Sequence, residues 1–299
     1  MTDAAPSGSS STAVRSAQRP SNGAIFEAEG IVKRFGGIRA VNGATMSVQE
    51  GSITALIGPN GAGKTTFFNL ITGFYRPDSG SAWFDGQEIQ GRFGLGQRIL
   101  GRGSPHAIAR LGMVRTFQIT KALARMSVLD NMMLAAPDQP GERLVNLILR
   151  PRGHRQRERE TRDEAMELLE VFNLTKLADS YAGTLSGGQR KLLELARALM
   201  TRPRFLLLDE PMAGINPTLG KRLLDHMERL RSEDGVTFLF VEHDMEVVMN
   251  HSDRVVVMAE GRVIADGAPE AIRSDQGVID AYLGGGAPVA EDDAPETER

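Results

Sequence analysis

A chain of 299 residues can bury a sizeable core in one large domain or two small ones, and its near balance of 35 Lys and Arg against 38 Asp and Glu excludes nucleic-acid binding driven by bulk charge. It has no cysteine, so no disulfide can form, and no apolar stretch approaches the ~18 residues that a membrane span needs. The N-terminus carries no apolar signal core, which sets the expectation of a soluble chain in the cytoplasm.

Residues 1–22 are rich in Ser, Ala and Pro without periodicity and read as a disordered leader. From residue 24 to about 86 the pattern is of short strands. Residues 25–31 and 41–48 partly alternate, and Ser81-Ala82-Trp83-Phe84 before Asp85-Gly86 reads as a strand and a turn, with Trp83 a packing residue. Between them, the continuous apolar run Ile53-Thr54-Ala55-Leu56-Ile57 reads as a buried strand, and residues 66–71 read as a helix. The link is Gly58-Pro59-Asn60-Gly61-Ala62-Gly63-Lys64-Thr65, which is G-x-x-x-x-G-K-T. Strand, glycine-rich loop and helix make the context of a phosphate-binding loop. Glycines let backbone N–H groups face inward, the helix N-terminus adds free amides and the positive end of its dipole, Lys64 can reach outer phosphates, and the Thr65 hydroxyl suits Mg²⁺. These residues, with Thr66, are expected to grip a nucleoside triphosphate.

The middle, about 104–184, reads as mainly helical. Ser127-x-x-Asp130 is a helix start, the charges of residues 152–162 read as a solvated face, and residues 165–171 are amphipathic. Ser186-Gly187-Gly188-Gln189 opens the helix that continues through residues 190–200. It has two readings. S-x-x-Q is a capping box, and two adjacent glycines leave backbone amides open to a close anion. The remainder alternates strand and helix. Residues 205–208 and 237–241 are short apolar runs of the kind buried parallel strands show, with a helix from Pro217 to about Arg231 between them. A last strand over residues 254–258 leads into a hairpin turn at Glu260-Gly261-Arg262. Residues 284–299 form a glycine-rich exit and a structureless acidic tail.

Two carboxylates, Asp209 and Glu210, close the apolar run that starts at Phe205. A carboxylate at the end of a buried strand beside a phosphate loop is placed to hold Mg²⁺, which assigns Asp209 to the metal and Glu210 to polarising the attacking water. His243 ends the next buried strand, where a γ-phosphate contact is expected. Gln118 follows Arg115-Thr116-Phe117 beyond the helical turn near Leu111. The other histidines have no comparable setting.

In order and content, residues 24–284 resemble the ATP-binding subunit of an ABC transporter. The resemblance implies an α/β fold of the P-loop NTPase, ABC ATPase type: a parallel-sheet core, an antiparallel β subdomain and a helical subdomain at about 104–200. It also implies roles. Residues 58–65 would be Walker A, Gln118 the Q-loop glutamine that reaches the metal and the reacting phosphate, and Leu185-Ser186-Gly187-Gly188-Gln189 the signature. Residues 205–209 would be Walker B, Glu210 the catalytic carboxylate, His243 the switch histidine and residues 213–217 the D-loop. Phe35 takes the place of the aromatic that stacks on adenine; a Phe stacks as well as a Tyr and donates no hydrogen bond. A narrower resemblance, to the branched-chain amino acid subfamily, is carried by residues 32–37, 108–118, 209–214, 242–245 and 278–284, with a longer glycine-rich insertion at 91–104 and a full Leu-Ser-Gly-Gly-Gln as departures.

The expected protein is thus an ATPase with ATP and Mg²⁺ as cofactors. It would pair head to tail with a second ABC ATPase subunit, identical or homologous, so that each ATP lies between one Walker A and the other signature. It would power separate membrane permeases, fed by an extracytoplasmic solute-binding protein, from the cytoplasmic face of the cell membrane, and would bind no nucleic acid. Urea or amide uptake, lipid or lipopolysaccharide export, and a soluble ABC ATPase are the rival readings.

Overall fold

A computed structural model describes residues 23–91, 103–116, 123–137 and 151–284. The expected leader and acidic tail, most of the 91–104 insertion, and Gln118 lie outside the described residues. The described residues begin with β1 (Ala24–Phe35), β2 (Ile38–Gln49), β3 (Ile53–Ile57), α1 (Lys64–Ile71), β4 (Ser79–Phe84) and β5 (Gln87–Gln90). Next come α2 (Pro105–Arg110), β6 (Met113–Arg115), α3 (Val128–Ala135), α4 (Pro151–Val171) and α5 (Gly187–Met200). The last part holds β7 (Phe205–Asp209), α6 (Pro217–Asp234), β8 (Thr237–Val241), α7 (Met245–His251), β9 (Arg254–Ala259), β10 (Arg262–Gly267), α8 (Pro269–Arg273) and α9 (Gln276–Gly284).

Two sheets result. One is four-stranded and antiparallel, in the order β2-β1-β4-β5; the other runs β10-β9-β3-β8-β7-β6 and is parallel except for the β9–β10 hairpin. The apolar runs of β3, β7 and β8 are continuous because both faces of the parallel sheet are covered. Alternate residues serve opposite cores. Ile53, Ala55, Leu206, Leu208, Phe238 and Phe240 pack with the helical side, among them Leu193 of α5 and Leu223 of α6. Leu56, Phe205, Leu207 and Leu239 face Phe67 and Phe68 of α1 and Phe26 and Phe84 of the antiparallel sheet. A one-residue slip in any of these strands would exchange the two cores, so the register is strongly specified.

The helix starts follow local chemistry. Ser127 Oγ accepts from Asp130 N–H at 3.0 Å, and Asn216 Oδ1 accepts from Leu219 N–H at 2.9 Å. The described middle of the chain is mainly helical but also holds a strand that sequence reading did not name: β6 is a buried edge strand parallel to β7, with Val114 paired to Leu206. Three residues are too few to show a period, so only their pairing reveals the strand.

Candidate active site

The phosphate loop leaves the C-terminal end of β3 and enters α1. At its start, Gly58 has φ 148°, and a Cβ built there would lie 2.0 Å from the carbonyl oxygen of Met258 in β9. At its end, Gly63 has φ 98° and caps α1, and its Cβ would lie 2.3 Å from the oxygen of Ala40. Both positions therefore demand glycine for conformation and for space. Gly58→Ala is expected to cost about 1–3 kcal/mol from backbone strain alone, plus the clash. A urea unfolding midpoint equal to that of the parent would show that the loop accepts a side chain. Lys64 is buried, and its Nζ donates to the loop's own carbonyls, Gly58 O at 2.6 Å and Pro59 O at 3.0 Å. Burial pulls its pKa below the usual lysine range, opposed by the charges of Glu210 and Asp209. The loop lysine thus lies in the field of both strand-end carboxylates.

Asp209 ends β7 and Glu210 follows it; the neighbouring β8 runs parallel, with Asp209 opposite Val241. Glu210 holds φ 49°, a left-handed conformation a non-glycine residue adopts at a cost. Its backbone is clamped on both sides: its N–H donates to Val241 O at 3.0 Å, and its carbonyl accepts from Lys191 Nζ at 2.6 Å. Strain held this firmly aims a side chain. The Glu210 carboxylate meets His243 Nε2 at 2.9 Å, and both side chains are about half exposed, 46% and 48%, so water and ligand can reach the pair. Glu242 is buried and accepts from the N–H groups of Met212 at 2.7 Å and His243 at 3.2 Å, tying the segments after β7 and β8 together.

Sequence reasoning missed Lys191 and Glu242. Lys191 lies five residues beyond Ser186, and besides Glu210 its Nζ donates to Ala213 O at 2.7 Å. Its pKa is lowered by burial, with Glu242, Glu210, Asp209 and Glu194 opposing. Glu242 lies within the 242–245 segment that carries the narrower resemblance, but nothing in that pattern assigned it a role, and Lys191 stands in no motif. The partners that give them their roles, Met212 for Glu242 and Glu210 and Ala213 for Lys191, are distant in sequence.

Ser186 caps α5 in a complete capping box. Its Oγ accepts from Gln189 N–H at 3.3 Å, and Gln189 Oε1 accepts from Ser186 N–H at 2.9 Å. Gly187 has open space where a Cβ would stand. A box needs no glycine at that position, so the cap alone does not account for it. α5 packs against α3 and α4, on the helical side of the molecule. Phe35 ends β1, 44% exposed, with Tyr75 edge-on at 5.3 Å and Lys33 Nζ 5.6 Å from its ring centre. Lys33 is held in turn by Asp78 at 3.0 Å, which also accepts from Arg34 N–H at 2.7 Å. Lys64, Asp209, Glu210 and His243 therefore gather at one end of neighbouring parallel strands, while Phe35 and Ser186 stand on other elements.

The model of the family described as ABC transporter matches residues 41–213, and that described as branched-chain amino acid ATP-binding cassette transporter matches residues 262–288. The high-affinity branched-chain amino acid transport ATP-binding protein BraF of Pseudomonas aeruginosa is 45% identical over 260 residues, 87% of this chain and 98% of that protein. The chain belongs to the ABC transporter family. It is the ATP-hydrolysing cassette of a transporter, and membrane permease partners follow from that membership. LivG proteins, also of branched-chain amino acid transport, are 42% identical in Archaeoglobus fulgidus and 39% in Escherichia coli K12, with 95% and 98% of those proteins covered. A nucleotide-free ATP-binding cassette from an ABC transporter is similar in structure, with a TM-score of 0.69 at 37% identity over 87% of this chain and 98% of that one. The ADP conformation of a cassette gives 0.68 at 36% identity over 87% and 99%. The expected α/β cassette architecture is thereby borne out, and no helix among the described residues is long and apolar enough to cross a membrane.

Proposed function

We propose that this cassette powers uptake of branched-chain amino acids, or of related small polar solutes, through separate permeases. The observation that carries the reading is the convergence of Lys64, Asp209, Glu210 and His243 at one end of the parallel sheet. The named activities of BraF and LivG relatives, which the chain matches over nearly their whole lengths, support the cargo class.

Residues 58–66 cradle the phosphates, and Lys64 leaves the Gly58 and Pro59 carbonyls to reach them. Phe35, backed by Tyr75, offers a face to the base. Glu210 accepts the proton of the attacking water and His243 orients the pair. Ser186, Gly187, Gly188 and Gln189 meet the nucleotide of a second subunit, so that two half-sites close into one chamber.

The residues fit Mg²⁺. The exposed Thr65 hydroxyl and the Asp209 carboxylate are hard oxygen donors, with Gln118 as the family's third. No cluster of three or more His, Cys, Asp or Glu among the described residues could form a cage by itself. That is the donor set of an ion shared with phosphates. Such an ion would neutralise phosphate charge. We assign residues 24–284 to the cassette, with its helical part at about 104–200, and place it on the cytoplasmic face of the membrane beside permeases that a solute-binding protein supplies.

The test is reconstitution of the cassette with its permeases in proteoliposomes. ATP-dependent uptake of leucine, isoleucine or valine is the expected result. Uptake of urea or a short amide with none of the three would overturn the cargo class, and ATPase activity indifferent to any permease would overturn the transport role.

A further inference from the structure

Arg115 ends β6 and is 7% exposed, so it carries a charge into the edge of the core. Its Nη2 donates to Asp209 Oδ2 at 2.7 Å, and its Nη1 donates to Asn69 Oδ1 of α1 at 2.6 Å. The guanidinium carbon stands 5.5 Å from the centre of the Phe68 ring. Three elements meet on this one side chain: the helix that follows the phosphate loop, the strand that ends in Asp209, and the strand that runs into the segment holding Gln118.

Stability alone does not explain an arginine here. Its Nε is buried with no hydrogen-bond partner among the described residues. An apolar side chain of similar size usually packs a buried position as well as an ion pair does, or better. What an arginine adds is a planar fork whose two ends hold fixed directions, which a lysine cannot reproduce.

We propose that Arg115 is a positioning residue for Asp209. It holds Oδ2 toward the guanidinium, leaves Oδ1 to a divalent ion or its water, and through Asn69 ties that carboxylate to the helix carrying Lys64 and Thr65. The inference rests on the reading of Asp209 as the ion's carboxylate. Partners that orient a metal-binding carboxylate from behind typically change metal affinity by about 10–100-fold when removed.

The test is equilibrium binding of a fluorescent ATP analogue to the purified chain, titrated with Mg²⁺ from an EDTA baseline, together with thermal melts. Arg115→Lys keeps the charge without the fork; Arg115→Met keeps the bulk without the charge. Both should raise the Mg²⁺ concentration for half-maximal binding by about 10–100-fold while metal-free binding stays at the parent level. Asn69→Ala leaves the Arg115–Asp209 contact intact and should shift the midpoint in the same direction by less, which keeps the idea testable if the arginine variants fold poorly. An unchanged midpoint overturns the proposal. A lowered midpoint overturns it as well, because Arg115 would then compete with the ion. So does a loss of melting temperature and of metal-free binding with no midpoint shift, which marks a merely structural arginine. Asp209→Asn, run in parallel, separates the two readings. If it abolishes the Mg²⁺ response and the arginine variants do not alter it, only this inference falls; if it has no effect, the assignment of Asp209 falls and takes this inference with it.

Discussion

Replacing Glu210 by Gln should slow ATP hydrolysis in the assembled transporter by roughly 10²–10⁴-fold, the usual cost of losing a positioned general base. Nucleotide binding should survive. The substitution is nearly isosteric, and a glutamine meets the same strain at φ 49° that the glutamate already bears. The backbone clamp is untouched, because Val241 O and Lys191 Nζ hold main-chain atoms of residue 210. A glutamine amide can still meet His243 Nε2, where the carboxylate now stands at 2.9 Å. Only the proton acceptor is lost. Single-turnover hydrolysis beside equilibrium nucleotide binding measures the two effects separately. A turnover within a few-fold of the parent would show that another group takes the proton, and binding lost in parallel would show that the variant had damaged the site.

The second large effect is expected from Lys64→Ala. A hydrogen bond to a charged group contributes about 1.5–3 kcal/mol, or roughly 10–100-fold in affinity, and Lys64 is the loop's only ammonium. Its Nζ already lies within 2.6 and 3.0 Å of the Gly58 and Pro59 carbonyls, so it needs only a local swing to reach a phosphate in the same loop. Removing it leaves triphosphate charge facing the Asp209 and Glu210 carboxylates with less to offset it. ATP affinity should fall by about that factor and turnover should fall further. Near-normal ATPase activity in the assembled transporter would contradict the assignment.

The strands that carry this chemistry were legible because their side-chain patterns are local. Ile53 to Ile57, Phe205 to Leu208 and Thr237 to Val241 are continuous apolar runs since each is buried on both faces, and each leads directly into residues the site uses. Helix starts at Ser127, Ser186 and Pro217 were legible for the same reason: a cap is made within one turn. β6 was not legible, because a three-residue edge strand exists only through its pairing with β7. Ser186 shows the middle case. The capping box is fully formed, yet the open space at Gly187 lies beyond what capping requires, so the motif's two readings are compatible.

By itself the sequence determined the order of the motifs, the parallel core and the chemical types at the site. Glycines in a loop, a lysine behind them and carboxylates at strand ends are properties of short segments, and short segments carry them whatever the rest of the chain does. Only the tertiary structure decided which charges answer one another. Arg115 reaches Asp209 and Asn69, Lys191 holds the carbonyl of Glu210, and Glu242 joins two strand ends, across separations that no local pattern encodes. Desolvation is the reason. A charge taken from water must find its partner in space, and the fold alone brings β6, α1 and β7 close enough to supply one.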